Sequence, residues 1–175
     1  MRITGFPPIV SENATVLILG TMPGPESLRC GQYYAAAGNA FWDIMGSICG
    51  AGRSLDYRKR IRRLQEAGIA VWDVLQQCER QGSRDAGIDP DTEMPNKLAD
   101  FLKIHAKILH VFFNGQKPEA AFYRHVWPGL SADIKNRVGL ATLPSTSGAN
   151  TWSSKEEKLQ EWRRRIAPCL KSSGG

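Results

Sequence analysis

The chain has 175 residues, 42% hydrophobic and 23% charged, with a net charge of +6. That composition excludes a disordered protein, and the length suits one globular unit with a substantial core. No apolar run approaches membrane-spanning length, and the N-terminus lacks a basic-then-apolar leader, so a cytoplasmic protein is expected, associated with the nucleoid if bacterial. Residues 1–14 read as an extended lead-in around Pro7-Pro8. Val16 to Leu19 is an unbroken aliphatic run, as in a central strand buried on both faces. It opens at Gly20 into Thr21-Met22-Pro23-Gly24, which continues neither a strand nor a helix. A helix from Ala40 carries Phe41, Ile44, Met45 and Ile48, and Gly50-Ala51-Gly52 ends it. Ser54 is expected to cap a second helix with the stripe Tyr57, Ile61 and Leu64, stopping at Gly68. Ile69 to Leu75 reads as a second buried strand, Gln76 to Pro90 as a loop, and Asn96 to Lys103 as a helix.

Lys107 to Phe113 predicts a third strand ending at Asn114-Gly115, followed by a helix near Lys117-Pro118. Arg137 to Leu143 predicts a fourth strand, ending at Pro144-Ser145-Thr146-Ser147-Gly148-Ala149-Asn150. The last helix starts with the capping-box pattern Ser154-Lys155-Glu156-Glu157 and buries Leu159, Trp162 and Ile166. Four alternations without an internal repeat define one α/β domain over residues 1–175: a three-layer α/β/α unit around a four-stranded, mainly parallel sheet. Right-handed crossovers bring the four strand-end loops to one edge, where such folds place their sites.

The chemistry at that edge is amide and hydroxyl. Phosphate-binding glycine fingerprints and the nucleophile-elbow pattern are both absent. The four cysteines and three histidines lack metal-ligand spacing, so neither metal nor cofactor is expected. Asn39 and Asn114 each carry donors and an acceptor able to pair with a base edge, or serve equally as turn and cap residues. Tyr33, Tyr34, Phe41 and Trp42 either stack a base or fill the core, the latter being the reading for Phe41 and Trp42. Two basic clusters, Arg58–Arg63 and Arg163–Arg165, suit a polyanionic partner or a solvated helix face.

Taken together, LILGTMPGPESL, YYAAAGNAFWDI, GIAVWDVLQQCERQGS, HVFFNGQKPEAAF and LPSTSGAN resemble, in order, the segments of the uracil-DNA glycosylase superfamily, most closely its hypoxanthine-DNA (deoxyinosine) branch. Met22 stands where the mismatch-specific branch has its catalytic Asn. Leu143 stands where uracil glycosylases carry a motif-2 His. The resemblance implies that Asn39 takes the catalytic role and Asn114 recognises the base. It implies a base pocket at Gly20, Thr21, Met22, Pro23, Gly24, Tyr34 and Phe41, with DNA contacts from Ser145, Thr146, Ser147, Gly148 and Asn150. The expected protein is a monomeric, monofunctional glycosylase that flips a deaminated base out of DNA. A broad-specificity uracil/xanthine-DNA glycosylase and a non-catalytic nucleic-acid-binding module are the alternatives.

Overall fold

The computed structural model describes residues 1–170. In chain order it contains β1 (Arg2–Thr4), β2 (Val16–Gly20), α1 (Pro25–Cys30), α2 (Phe41–Cys49), α3 (Tyr57–Ala67), β3 (Ile69–Asp73) and β4 (Leu75–Glu79). There follow β5 (Met94–Pro95), α4 (Leu98–Ile104), β6 (His110–Asn114), α5 (Gln116–His125), α6 (Ala132–Arg137), β7 (Gly139–Leu143) and α7 (Lys155–Ile166). Strands β3-β2-β6-β7 form one sheet in that order, and every pairing is parallel.

The register of this sheet follows from the two faces of β2. Val16 and Ile18 join Ile69, Val71 and Phe112 beneath α2, α3 and α7, where Phe41, Trp42, Leu64, Trp162 and Ile166 complete a core. Leu17 and Leu19 point the other way, with Ala70, Val111 and Phe113, toward Leu98, Phe101, Leu102, Phe122 and Ile134 of α4, α5 and α6. Each large aliphatic buried in this way contributes roughly 1.5–3 kcal/mol. A one-residue slip would exchange the two sets, so the pairing is strongly specified.

Three features depart from the sequence expectations. A second, antiparallel sheet, β1-β4-β5, occupies part of the lead-in and of the Gln76–Pro90 stretch expected to be a loop. The strand expected to run from Ile69 to Leu75 therefore changes partners near Val74. Val74 N donates to Gly20 O (2.8 Å) and Leu75 N to Thr21 O (3.1 Å), and the chain then pairs with β1. Two short helices, α1 and α6, also form: Pro25 provides the fixed φ of a first turn, and the Ser131 hydroxyl accepts from Ile134 N to cap the other. The α3 cap is Asp56, whose side chain accepts from Lys59 N, rather than Ser54. At α7 the expected cap is present, with Ser154 Oγ accepting from Glu157 N.

Candidate active site

All four strands of the parallel sheet end at one edge. Gly20 is paired with Asp73 in register, and Asn114 with Leu143. Because Leu19 pairs with Phe113, Asn114 lies one step further on, flanking Gly20 from the side opposite Asp73. Residues in one row across a sheet share a face. Gly20 thus lies between two polar side chains and adds none of its own.

Polar groups close tightly over this glycine. A Cβ placed on Gly20 would lie 2.6 Å from Asp73 Oδ1 and 2.9 Å from the Tyr34 hydroxyl. Tyr34 reaches this point from the segment before α2, with its ring stacked on Phe41 (4.0 Å between centroids, 22° between planes). Its φ of +53° is the one positive value outside glycine among the described residues. Such a conformation costs on the order of 1–3 kcal/mol and persists only where the surroundings dictate it. Here they do: Tyr33 N donates to the Tyr57 hydroxyl (3.0 Å), Trp42 Nε1 to Tyr33 O (2.8 Å), Ala35 N to Ser27 Oγ (3.1 Å), and the Tyr33 hydroxyl to Pro7 O (2.8 Å).

Asp73 is buried and its Oδ2 has no hydrogen-bond partner among the described residues; the same holds for the Tyr34 hydroxyl, which faces Asn114. Burial, reinforced by the neighbouring Asp85 charge, pushes Asp73 up to about 8. The carboxyl is therefore protonated at neutral pH. Burial likewise raises Asp85, which sits beside the Thr21 hydroxyl with Arg80 and Lys117 nearby. Desolvation holds Tyr33 and Tyr34 well above the ordinary phenol range, so both remain hydroxyl donors.

Asn114 is held on its other side by the loop after β7. Its Nδ2 donates to Thr146 Oγ1 and its Oδ1 accepts from Thr146 N, both at 2.9 Å. Gly115, at φ +98°, makes the turn that lets this loop pack against the end of β6. Thr146 O accepts in turn from Ala40 N (2.9 Å), so one residue ties Asn114 to the Asn39 segment.

Asn39 lies at the start of α2, where its Oδ1 accepts from Phe41 N (3.0 Å). Arg53 donates to the Asn39 and Ala37 carbonyls, fixing the backbone around it. Both readings of Asn39 are thus compatible: the oxygen caps, while its Nδ2 has no acceptor among the described residues. Asn39 borders a groove of about 600 Å³ together with Asp43, Asn150, Lys155 and Lys158. Asp43 pairs with Lys155 (2.9 Å) and Arg53 (3.4 Å), and although partial burial opposes it, these two cations hold its carboxyl below the usual range. Lys158 is buried and donates to the carbonyls of Asn150 (2.8 Å) and Ser147 (3.3 Å), bracing the loop from beneath. Desolvation lowers its affinity for a proton.

Several expected pocket residues sit elsewhere. The Met22 side chain is buried in the core on the Leu17 and Leu19 side of the sheet, with its sulfur near Gly5, Pro23 is buried, and Gly24 caps α1. Phe41 is fully buried and supports Tyr34 from behind. Thr146 points at Asn114 rather than outward, whereas Ser145, Ser147, Gly148 and Asn150 keep some exposure. Leu143 belongs to the core under α7. The Arg163–Arg165 cluster falls in the last turn of α7, whose first turn adjoins the groove, and so lies at the far end of that helix. Sequence reasoning passed over Asp73, Asp85, Arg53, Lys155 and Lys158. For Asp73 a signal existed: a carboxylate closing the apolar run IAVW at the sheet edge where the site was expected.

Comparisons with known proteins give the family. Residues 7–169 match the family model of the uracil DNA glycosylase superfamily, and the chain belongs to that superfamily. It is a DNA glycosylase, an enzyme that hydrolyses the bond between a base and its deoxyribose. Two curated relatives, from Methanosarcina barkeri and Methanosarcina acetivorans, are both named hypoxanthine DNA glycosylase. Each is 36% identical over 159 residues, covering 90% of this chain and 94% of the relative. The solution structure of a candidate uracil DNA glycosylase from Methanosarcina acetivorans superposes with a TM-score of 0.78 at 31% identity. That match covers 97% of this chain and 99% of the other.

Proposed function

We propose that the base this enzyme removes is hypoxanthine, the product of adenine deamination, and that it does so by flipping deoxyinosine out of DNA. The observation that carries the reading is the cluster of Asp73, Asn114 and Tyr34 around Gly20, in a chain closely similar over its length to two hypoxanthine DNA glycosylases. Flipping costs a few kcal/mol of unpairing and unstacking, least for a mismatched or damaged pair. The Tyr34 ring offers a stacking surface for the extruded base, and the groove lined by Lys155 accepts the backbone beside it.

In the hydrolysis, positive charge develops on the sugar and negative charge on the departing base. Asn39 orients the attacking water through its free amide donors, and Asn114 presents its amide to the base edge. Neither amide is a general base, so their contribution is positioning and electrostatic. Lys158 is committed to two carbonyls, which supports simple hydrolysis over an imine intermediate with the sugar.

The test is a single-turnover assay on duplexes carrying one deoxyinosine, deoxyuridine or deoxyxanthosine, developed with hot alkali. Deoxyinosine should be cut fastest, with no strand break before alkali and no borohydride-trapped adduct. Faster cutting of deoxyuridine would refute the assignment.

A further inference from the structure

Three polar atoms near this edge of the sheet are buried without a hydrogen-bond partner among the described residues: Asp73 Oδ2, the Tyr34 hydroxyl and Thr21 Oγ1. Buried polar groups are almost always satisfied, so a cluster of unsatisfied ones marks a place where a polar ligand belongs. The Tyr34 hydroxyl and the other carboxyl oxygen of Asp73, Oδ1, converge over Gly20, whose missing side chain is what lets them come so close. Asp73 does not behave as a structural carboxylate. It makes no ion pair within 4 Å among the described residues, and the link from Asn96 Nδ2 (2.8 Å) goes to its backbone carbonyl instead.

We propose that Asp73 is a catalytic residue, the general acid that protonates the departing purine at N7; this rests on the hypoxanthine reading above. As the bond from C1′ to N9 breaks, its electron pair stays on the base. The Asp73 O–H bond breaks and its proton goes to N7, so hypoxanthine leaves as a neutral molecule. Water adds to C1′ and gives up one proton, and the Asp73 carboxylate regains a proton from solvent, closing the cycle. A base laid along Tyr34 brings its far edge to the point where the tyrosine hydroxyl and Asp73 meet. The Tyr34 hydroxyl steers the base by donating to it. A purine anion is a poor leaving group, so removing the charge at this point lowers the barrier. General acids of this kind contribute roughly 10²–10⁴ in rate.

Burial and the Asp85 charge set the ionisation of Asp73, and further polar groups surround the pair. Asp85, itself flanked by Arg80, faces it from the segment after β4; Tyr33 and Tyr34 face it from the segment before α2, and Asn114 of β6 lies against the Tyr34 hydroxyl. Thr21 and, behind Asp85, Lys117 of α5 complete the surroundings. Burial, with the Asp85 charge, keeps the carboxyl protonated up to about pH 8.

The experiment combines a pH profile, an altered substrate and a variant, all under single-turnover conditions on duplex DNA. Wild-type cleavage of deoxyinosine should decline above about pH 8. The 7-deaza analogue, which has C–H where N7 stood, should resist cleavage while binding normally. Asp73→Asn should cut deoxyinosine roughly 10²–10⁴-fold more slowly with no decline at high pH, and should lose nothing further on the 7-deaza analogue. Asp85→Asn should move the high-pH limb of the wild-type profile downward. A 7-deaza analogue cut at the normal rate, or an Asp73→Asn protein with the parental rate and profile, overturns the proposal. The first of these needs no variant to fold. A wild type inactive on deoxyinosine overturns instead the substrate on which the proposal rests, and the two failures are read from different lanes.

Discussion

Replacing Asp73 by Asn should stabilise the protein, increasingly so as pH rises. In the folded state the carboxyl is held up to about 8, against an ordinary value of 3.8, because burial and Asp85 penalise its charged form. Between those two values the unfolded chain has released the proton while the native chain still holds it. Stability therefore falls with rising pH across this window, is fully present below about pH 4, and levels off above about pH 8. Each pH unit corresponds to about 1.36 kcal/mol, so three units from pH 5 to pH 8 amount to roughly 4 kcal/mol from this one group. An asparagine has the same shape and does not titrate. The stability of Asp73→Asn minus that of the wild type should thus grow by up to roughly 4 kcal/mol between pH 5 and pH 8. Asp85, also raised by burial, drains stability with the same sign in both proteins and largely cancels in the difference. Urea denaturation of both proteins at pH 5, 6.5 and 8 measures it directly. Parallel stability curves across that range would refute the reasoning, since they would mean that Asp73 is already ionised in the folded protein.

Asn39→Ala should reduce single-turnover excision by roughly 10²–10³ while DNA affinity stays close to the parental value. The same change removes the cap on Phe41 N at a cost of about 1 kcal/mol, so Asn39→Ser, which restores a capping oxygen but no amide donors, should recover stability in thermal melts without recovering rate. Thr146→Val should leave Asn114 Nδ2 buried without its acceptor, costing about 1–3 kcal/mol by urea denaturation, and Thr146→Ser should restore most of it. Lys155→Ala should reduce the slope of log affinity against log salt by about 0.9 for the phosphate contact it loses. Arg163→Ala, at the other end of α7, should leave that slope unchanged in the same titration.

The parallel sheet, its supporting helices and the edge at which they open were legible in the sequence alone. Val16–Leu19 and the Val111–Phe113 run are apolar throughout, and only a strand covered on both faces accommodates such a run. Asn114-Gly115 and Ser154 with Glu157 mark their boundaries through local backbone chemistry that acts over a few residues. The antiparallel sheet was not legible, because β1 and β4 pair across more than seventy residues and neither run is long or regular enough to declare itself. The standing of the cations was decided by folding as well. Arg163–Arg165 is conspicuous as a run yet sits away from the groove. Arg53, Lys155 and Lys158 are isolated in the chain and converge at the groove or behind it. Asp73 is the sharpest case. Its position at the end of a strand is written in the sequence, but its proton is not. Whether a carboxyl is charged depends on the water and charges around it, and those come from Gly20, Tyr34 and Asp85, which only the tertiary structure brings to the same place.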